Sequence, residues 1–213
     1  VLREKMNDPE VFKSNPVRFE IMRHFGYFVT ESSQHMSEYV PWFRPHEECW
    51  ERFGLKKREV SMETPDAPKW LKDSIGENGE MKAGELRQSH EFASGIMEAE
   101  VTDVPYRFNG NVMNTGLIPN LPQNCCVEVL CIVDRTGVHP CHAGALPPQL
   151  AAINRSNIAV QELAVNAFLH KDREAAFQAI ALDPLTATVR PLHRIREMFE
   201  EMWDAEGELL DYY

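Results

Sequence analysis

Glu31, His35 and Glu38 fall at i, i+4 and i+7, with Tyr39 beside them. On a helix that spacing puts two carboxylates and an imidazole on one face with a phenol at its edge, groups that exchange protons or ligate metals. A solvated helix face or a helix cap would use the same residue types. A second compact set, His139, Cys141 and His142, offers nitrogen and sulfur donors. A metal site needs several such groups converging in space, and Pro140 in their midst makes a loop the simpler reading. Asn111, Asn114 and Asn120 present amides that suit a hydroxyl-rich ligand, and they suit turns equally, since asparagine tolerates left-handed backbone. The chain carries no G-x-G-x-x-G, P-loop or C-x-x-C to name a cofactor.

The elements that must position these groups follow from periodicity. Asn15-Pro16 has the form of a helix start and Gly26 that of a stop, so a helix is expected over 16–25, with Asn15 as its cap. Tyr27-Phe28-Val29-Thr30 is β-prone and precedes the polar run 31–39. From Arg44 to about Lys82, Pro, Lys and Glu dominate around Trp50 and Trp70, which suggests helices and an irregular excursion. A further helix is expected near 89–100. Pro105–Phe108 is strand-like, Asn109-Gly110-Asn111 a turn, and 120–124 a second turn. Cys125–Val133 reads as a strand of a largely buried sheet with its cysteines as small hydrophobes, and Asp134–Gly137 as a hairpin tip. From Pro147 the spacing of Leu150, Ile153, Asn157, Val160, Gln161, Ala164 and Phe168 predicts one long, central helix. Helices near 172–182 and 191–206 complete the chain.

Over 213 residues, 43% hydrophobic and 26% charged residues are ordinary values for a globular protein and permit a sizeable core without disulfides. A formal charge of −11 repels phosphate backbones and anionic lipid, which argues against nucleic-acid and membrane partners. No apolar stretch reaches transmembrane length and no basic-then-apolar leader opens the chain. An odd count of 5 cysteines fits reduced thiols, so a cytoplasmic location is expected.

Two long strings carry a family resemblance. NPVRFEIMRHFGYFVTESSQHMSEYVPWF at 15–43 is similar to the stretch that follows the metal-binding region in α-galactosidases of glycoside hydrolase family 4. GNVMNTGLIPNLPQNCCVEVLCIVD at 110–134 resembles that family's Asn-x-Gly-x-Ile-x-Asn-Leu-Pro…Val-Glu-Val block, and Leu146–Ala187 resembles its closing helices.

The resemblance implies an α/β fold: the α+β C-terminal domain of a lactate-dehydrogenase-like two-domain enzyme, with helices packed on a mostly antiparallel sheet. Residues 1–213 would form that substrate-side domain, without the NAD-binding Rossmann domain. The implied chemistry is an exception to two-carboxylate glycoside hydrolysis. NAD oxidises the sugar at C3, Mn²⁺ polarises the carbonyl, a base removes the C2 proton, the glycosidic oxygen leaves and water adds. The metal ligands and dinucleotide loop are expected in a preceding segment, so no metal ligand is assigned in this chain. The family base, Tyr or Asp among its branches, falls within Glu31–Tyr39, so Glu31, His35 and Tyr39 are taken together as the catalytic group, with Asn111 and Asn114 on the substrate. The implied substrate is an α-galactoside or related oligosaccharide and the implied assembly a homodimer or homotetramer. An α-glucosidase or α-uronidase of the same family, or a non-catalytic sugar-binding or oligomerisation module, are the alternatives. A uronide would call for Arg or Lys beside Asn111 and Asn114.

Overall fold

The computed structural model describes residues 1–56, 75, 91–210 and 212–213. The chain divides into two compact units, Val1–Lys56 with Asn109–Cys131 and Pro140–Tyr213, and Lys57–Phe108 with Ile132–His139.

In the first unit, short helices α1 (Leu2–Lys5) and α2 (Pro9–Ser14) lead into α3 (Pro16–Phe25). Pro16 takes the first turn as expected, but Asn15 does not cap with its side chain; its carboxamide oxygen accepts from Arg18 Nη1 at 2.9 Å. Gly26, at φ 85°, ends the helix in the left-handed conformation that glycine adopts without strain. Helices α4 (Ser33–Tyr39) and α5 (Glu47–Arg52) fold against α3. Val17, Ile21, Met36, Val40, Phe43 and Phe53 form the shared core, each no more than 8% exposed. At roughly 1.5–3 kcal/mol per buried large apolar side chain, this cluster is the main fixture of the unit's N-terminal part.

The β-prone segment Tyr27–Thr30 is not a strand. Its carbonyls find side-chain donors instead: Arg18 Nε donates to Val29 O at 2.8 Å, and just upstream Arg3 Nη2 donates to Gly26 O at 2.8 Å. The Arg18 guanidinium also sits 4.1 Å from the Phe28 ring centroid.

A three-stranded antiparallel sheet has the order β1-β2-β3, where β1 is Tyr106–Met113, β2 Cys126–Asp134 and β3 Gly137–Pro140. Asn109-Gly110-Asn111, expected as a turn, lies inside β1. The hairpin tip falls where expected, between β2 and β3. Along β2 exposure alternates: Val127, Val129, Cys131 and Val133 are buried while Cys126 is exposed, so the expectation of buried cysteines holds for Cys131 and fails for Cys126.

The second unit contains, among the described residues, α6 (Ala93–Thr102) and the hairpin tip. The Tyr106 ring packs on Gly95 so closely that an added Cβ would lie 2.5 Å from it, so this contact requires glycine. His139 Nε2 lies 2.8 Å from Thr136 Oγ1 and 3.3 Å from Asp134 Oδ1, which engages it in the hairpin. Trp70, and the beginning of the helix expected from 89, lie outside the described residues.

Helix α7 (Pro148–His170) is followed by α8 (Arg173–Leu182), α9 (Pro184–Val189) and α10 (Leu192–Glu206). The unforeseen α9 is launched by Asp183, whose carboxylate accepts from Thr186 N at 2.8 Å, with Pro184 in the first turn. Phe177, Ile195 and Phe199 make a second core between α8 and α10. Helix α7, expected to be central, is covered within the chain only in part. Ile153 docks on the α3–α5 core and Ala167 is buried, yet Val165, Phe168 and Leu169 are 57%, 55% and 61% exposed.

Candidate functional site

The polar run at 31–39 folds as a helix because Ser32 caps it, its hydroxyl accepting from His35 N at 3.4 Å. Two polar fixtures set α4 in place. Gln34 donates to Gly54 O at 2.8 Å and accepts from Lys56 N at 3.1 Å. Arg44 donates from Nε to the fully buried Ser37 Oγ at 3.0 Å, and its Nη2 lies 2.9 Å from Glu38 Oε1. Glu38 is therefore an anchor of α4, separated in role from Glu31 and His35.

Glu31 and His35 do come together, with Nδ1 and Oε1 3.3 Å apart. Glu31 Oε1 also accepts from Ser32 N at 2.6 Å. That backbone donor holds the Glu31 carboxyl below the usual carboxylate range, desolvation opposes it, and His35 adds a further lowering. Tyr39, at the other end of α4, is 46% exposed, and its carbonyl accepts from Asn157 Nδ2 at 3.2 Å, which ties α4 to α7.

A cleft of about 530 Å³ opens beside this helix. Glu31 and Tyr39 line it from one side, Glu128 from the outward face of β2, and Asn154, Asn157 and Gln161 from α7. Tyr27, Phe28 and Ile153 add apolar surface. Such a mixture of flat apolar faces and convergent amides and carboxylates suits a small polyhydroxylated ligand. His35 is not a lining residue; it reaches the cleft through Glu31.

The two asparagines expected on the substrate lie elsewhere. Asn111 is on the exposed face of β1 and does not line the cleft. Asn114 is completely buried: Nδ2 donates to Ile118 O and Pro122 O at 3.0 Å each, while Oδ1 accepts from Ile118 N at 3.0 Å. Its carboxamide is committed to the 114–122 loop, which leaves it no geometry for a sugar contact. Asn120 similarly exchanges hydrogen bonds with the backbone of Leu146, at 2.7 and 2.9 Å.

Glu128, Asn154 and the cleft-facing role of Asn157 and Gln161 were not foreseen. The signal was available at 150, 153, 154, 157 and 161, one helical stripe carrying both apolar and amide side chains. Among the described residues no group of three or more His, Cys, Asp or Glu side chains could hold a metal ion. No described helix is long and apolar enough to cross a membrane.

The family model of the family 4 glycosyl hydrolase C-terminal domain matches residues 2–186. An α-galactosidase of Bacillus subtilis (strain 168) is 40% identical over 202 residues, spanning 92% of this chain and 46% of that protein. An α-galactosidase of Rhizobium meliloti (strain 1021) is 30% identical over 215 residues, spanning 96% and 44%. The crystal structure of LplD from Bacillus subtilis superposes with a TM-score of 0.69 at 24% identity, over 87% of this chain and 42% of that one. The chain thus spans a little under half the length of the relatives it matches.

Proposed function

We propose that this chain, which belongs to the family 4 glycosyl hydrolases and matches their C-terminal domain, forms the sugar-side wall of an enzyme that cleaves α-galactosides. The observation that carries the reading is the character of the cleft: amides, carboxylates, a phenol and aromatic faces, with no Lys or Arg among its described lining residues. A uronide or phosphorylated sugar brings an anion that a site answers with a guanidinium or ammonium group. A neutral galactoside needs hydroxyl partners, and Asn154, Asn157 and Gln161 are of that kind. The α-galactosidase relatives support the same choice.

In this reading Glu31, His35 and Tyr39 handle the proton taken from the sugar. Ser32 N–H keeps Glu31 ionised, His35 Nδ1 orients its carboxylate, and Tyr39 offers a second proton-transfer group at the cleft wall. NAD and Mn²⁺ belong to the whole enzyme. The described residues supply no metal cluster, so no step is assigned to either cofactor here. A cytoplasmic setting fits the five free cysteines.

Assembly as a homodimer or homotetramer is part of the same proposal. The exposed end of α7, at Phe168 and Leu169, is a face that a second copy would cover. Sedimentation at about 50 µM is expected to show self-association; a well-behaved monomer would contradict it.

The activity is tested by presenting the enzyme that carries this domain with matched aryl α-galactoside, α-glucoside and α-galacturonide. The galactoside is expected to give the highest kcat/KM, and a preference for the galacturonide would overturn the reading.

A further inference from the structure

Beside the cleft lies a second hollow of about 400 Å³, and the two share Gln161. We propose that it is a second sugar subsite, seating the leaving-group sugar of an oligosaccharide whose galactose occupies the cleft; the inference rests on the reading of the cleft as the galactose site.

Two independent elements run from one hollow into the other. On α7, Asn157 and Gln161 face the cleft, while Gln161, Glu162 and Asn166 face the hollow. From Asn157 to Asn166 the helix advances roughly 14 Å, a length that two linked sugar rings can follow. On β2, Cys126 and Glu128 both lie on the outward face, and Cys126 borders the hollow where Glu128 borders the cleft. Residues i and i+2 of a strand stand about 6.6 Å apart on the same face, so this second wall is continuous as well.

The chemistry of the hollow repeats that of the cleft. Gln123 enters from the loop before β2, with Gln161 and Asn166 opposite. Among the described residues none of these three amides is spent on a protein hydrogen bond. An amide both donates and accepts, which matches a sugar hydroxyl, and Val165 supplies an apolar patch for the ring face. The hollow has no Lys or Arg among its lining residues and carries the Glu162 carboxylate, so it does not suit an anionic sugar.

Titration calorimetry of the 213-residue chain with galactose and with an α-galactosyl disaccharide tests the proposal. The disaccharide is expected to bind about tenfold tighter than the monosaccharide, and Gln123→Ala or Asn166→Ala to reduce that advantage several-fold. Equal affinity for the two sugars, or an advantage that survives in both variants, overturns the second subsite while leaving the cleft as the galactose site. A chain that binds neither sugar at millimolar concentration overturns the cleft reading and this inference together.

Discussion

Two regions of the first unit are rich in side-chain amides and use them in opposite ways. In the 114–122 loop, Asn114 and Asn120 turn inward and are saturated by backbone groups. On α7, Asn154, Asn157 and Gln161 turn toward an open cleft. The residue type is shared, so the difference lies in the local backbone. An irregular loop leaves carbonyls and N–H groups unpaired inside the protein, and an amide that satisfies them has no capacity left for a ligand. A helix pairs its own backbone, so its surface amides are only partly drawn on: Asn154 Nδ2 donates to Leu150 O and Asn157 Nδ2 to Tyr39 O and Ile153 O, while their carboxamide oxygens and the whole Gln161 amide stay open to a ligand. An amide-rich string therefore marks a sugar site only where regular structure already satisfies the main chain.

Three substitutions in the α4 group should give the largest effect. In the enzyme carrying this domain, Glu31→Gln, His35→Ala and Tyr39→Phe are each expected to lower kcat ~100- to 10,000-fold with only a small change in Tm. The opposite pattern, wild-type kcat per folded molecule with a lowered Tm, would move α4 to the structural side of the comparison. Substrate deuterated at C2 should react more slowly, and a variant lacking the base should enlarge that isotope effect.

Next in size is Asn114→Ala. Removing the carboxamide leaves the buried Ile118 N–H and the Pro122 carbonyl without partners and Ile118 O with Leu121 N–H alone, at a cost of roughly 3 kcal/mol. Thermal unfolding should show this as a large fall in Tm, with sugar affinity of the folded fraction kept. Asn154→Ala and Gln161→Ala are expected to behave inversely, weakening galactose binding by about three- to tenfold with little change in Tm. A Tm loss for these two comparable with that of Asn114→Ala would erase the distinction.

The smallest effect concerns pH. The folded-state pKa of Glu31 lies below its unfolded value, chiefly through the Ser32 N–H. Its contribution to stability is therefore complete above the unfolded carboxylate value and fades as pH falls through the folded one. The side chain is 41% exposed, so solvent screening keeps the contribution modest. The Tm gap between wild type and Glu31→Gln should be widest near neutral pH and close in acid.

Local signals in the sequence located α3, α7, α8 and the β2–β3 hairpin, because caps, Pro and Gly at helix ends and the alternation of Val127, Val129 and Val133 act within a few residues. The failures have a common origin in long-range partners. Tyr27–Thr30 has strand propensity, but Arg3 and Arg18 reach in to take carbonyls of Gly26 and Val29. Asn114 carries no mark in its own neighbourhood of the loop that closes around it. The cleft joins residues 27–39, Glu128 and 150–161, which are distant in sequence, and the mixed stripe on α7 could be read as packing until its neighbours were in place.

The central claim is that the α7 face, and not the asparagine loop, meets the sugar. An NMR titration of the ¹⁵N-labelled chain with galactose, following side-chain amide resonances, tests it directly. Saturable shifts at Asn154, Asn157 and Gln161 with Asn114 unmoved are the expected result; shifts centred on Asn111 and Asn114, with the α7 amides silent, would contradict it.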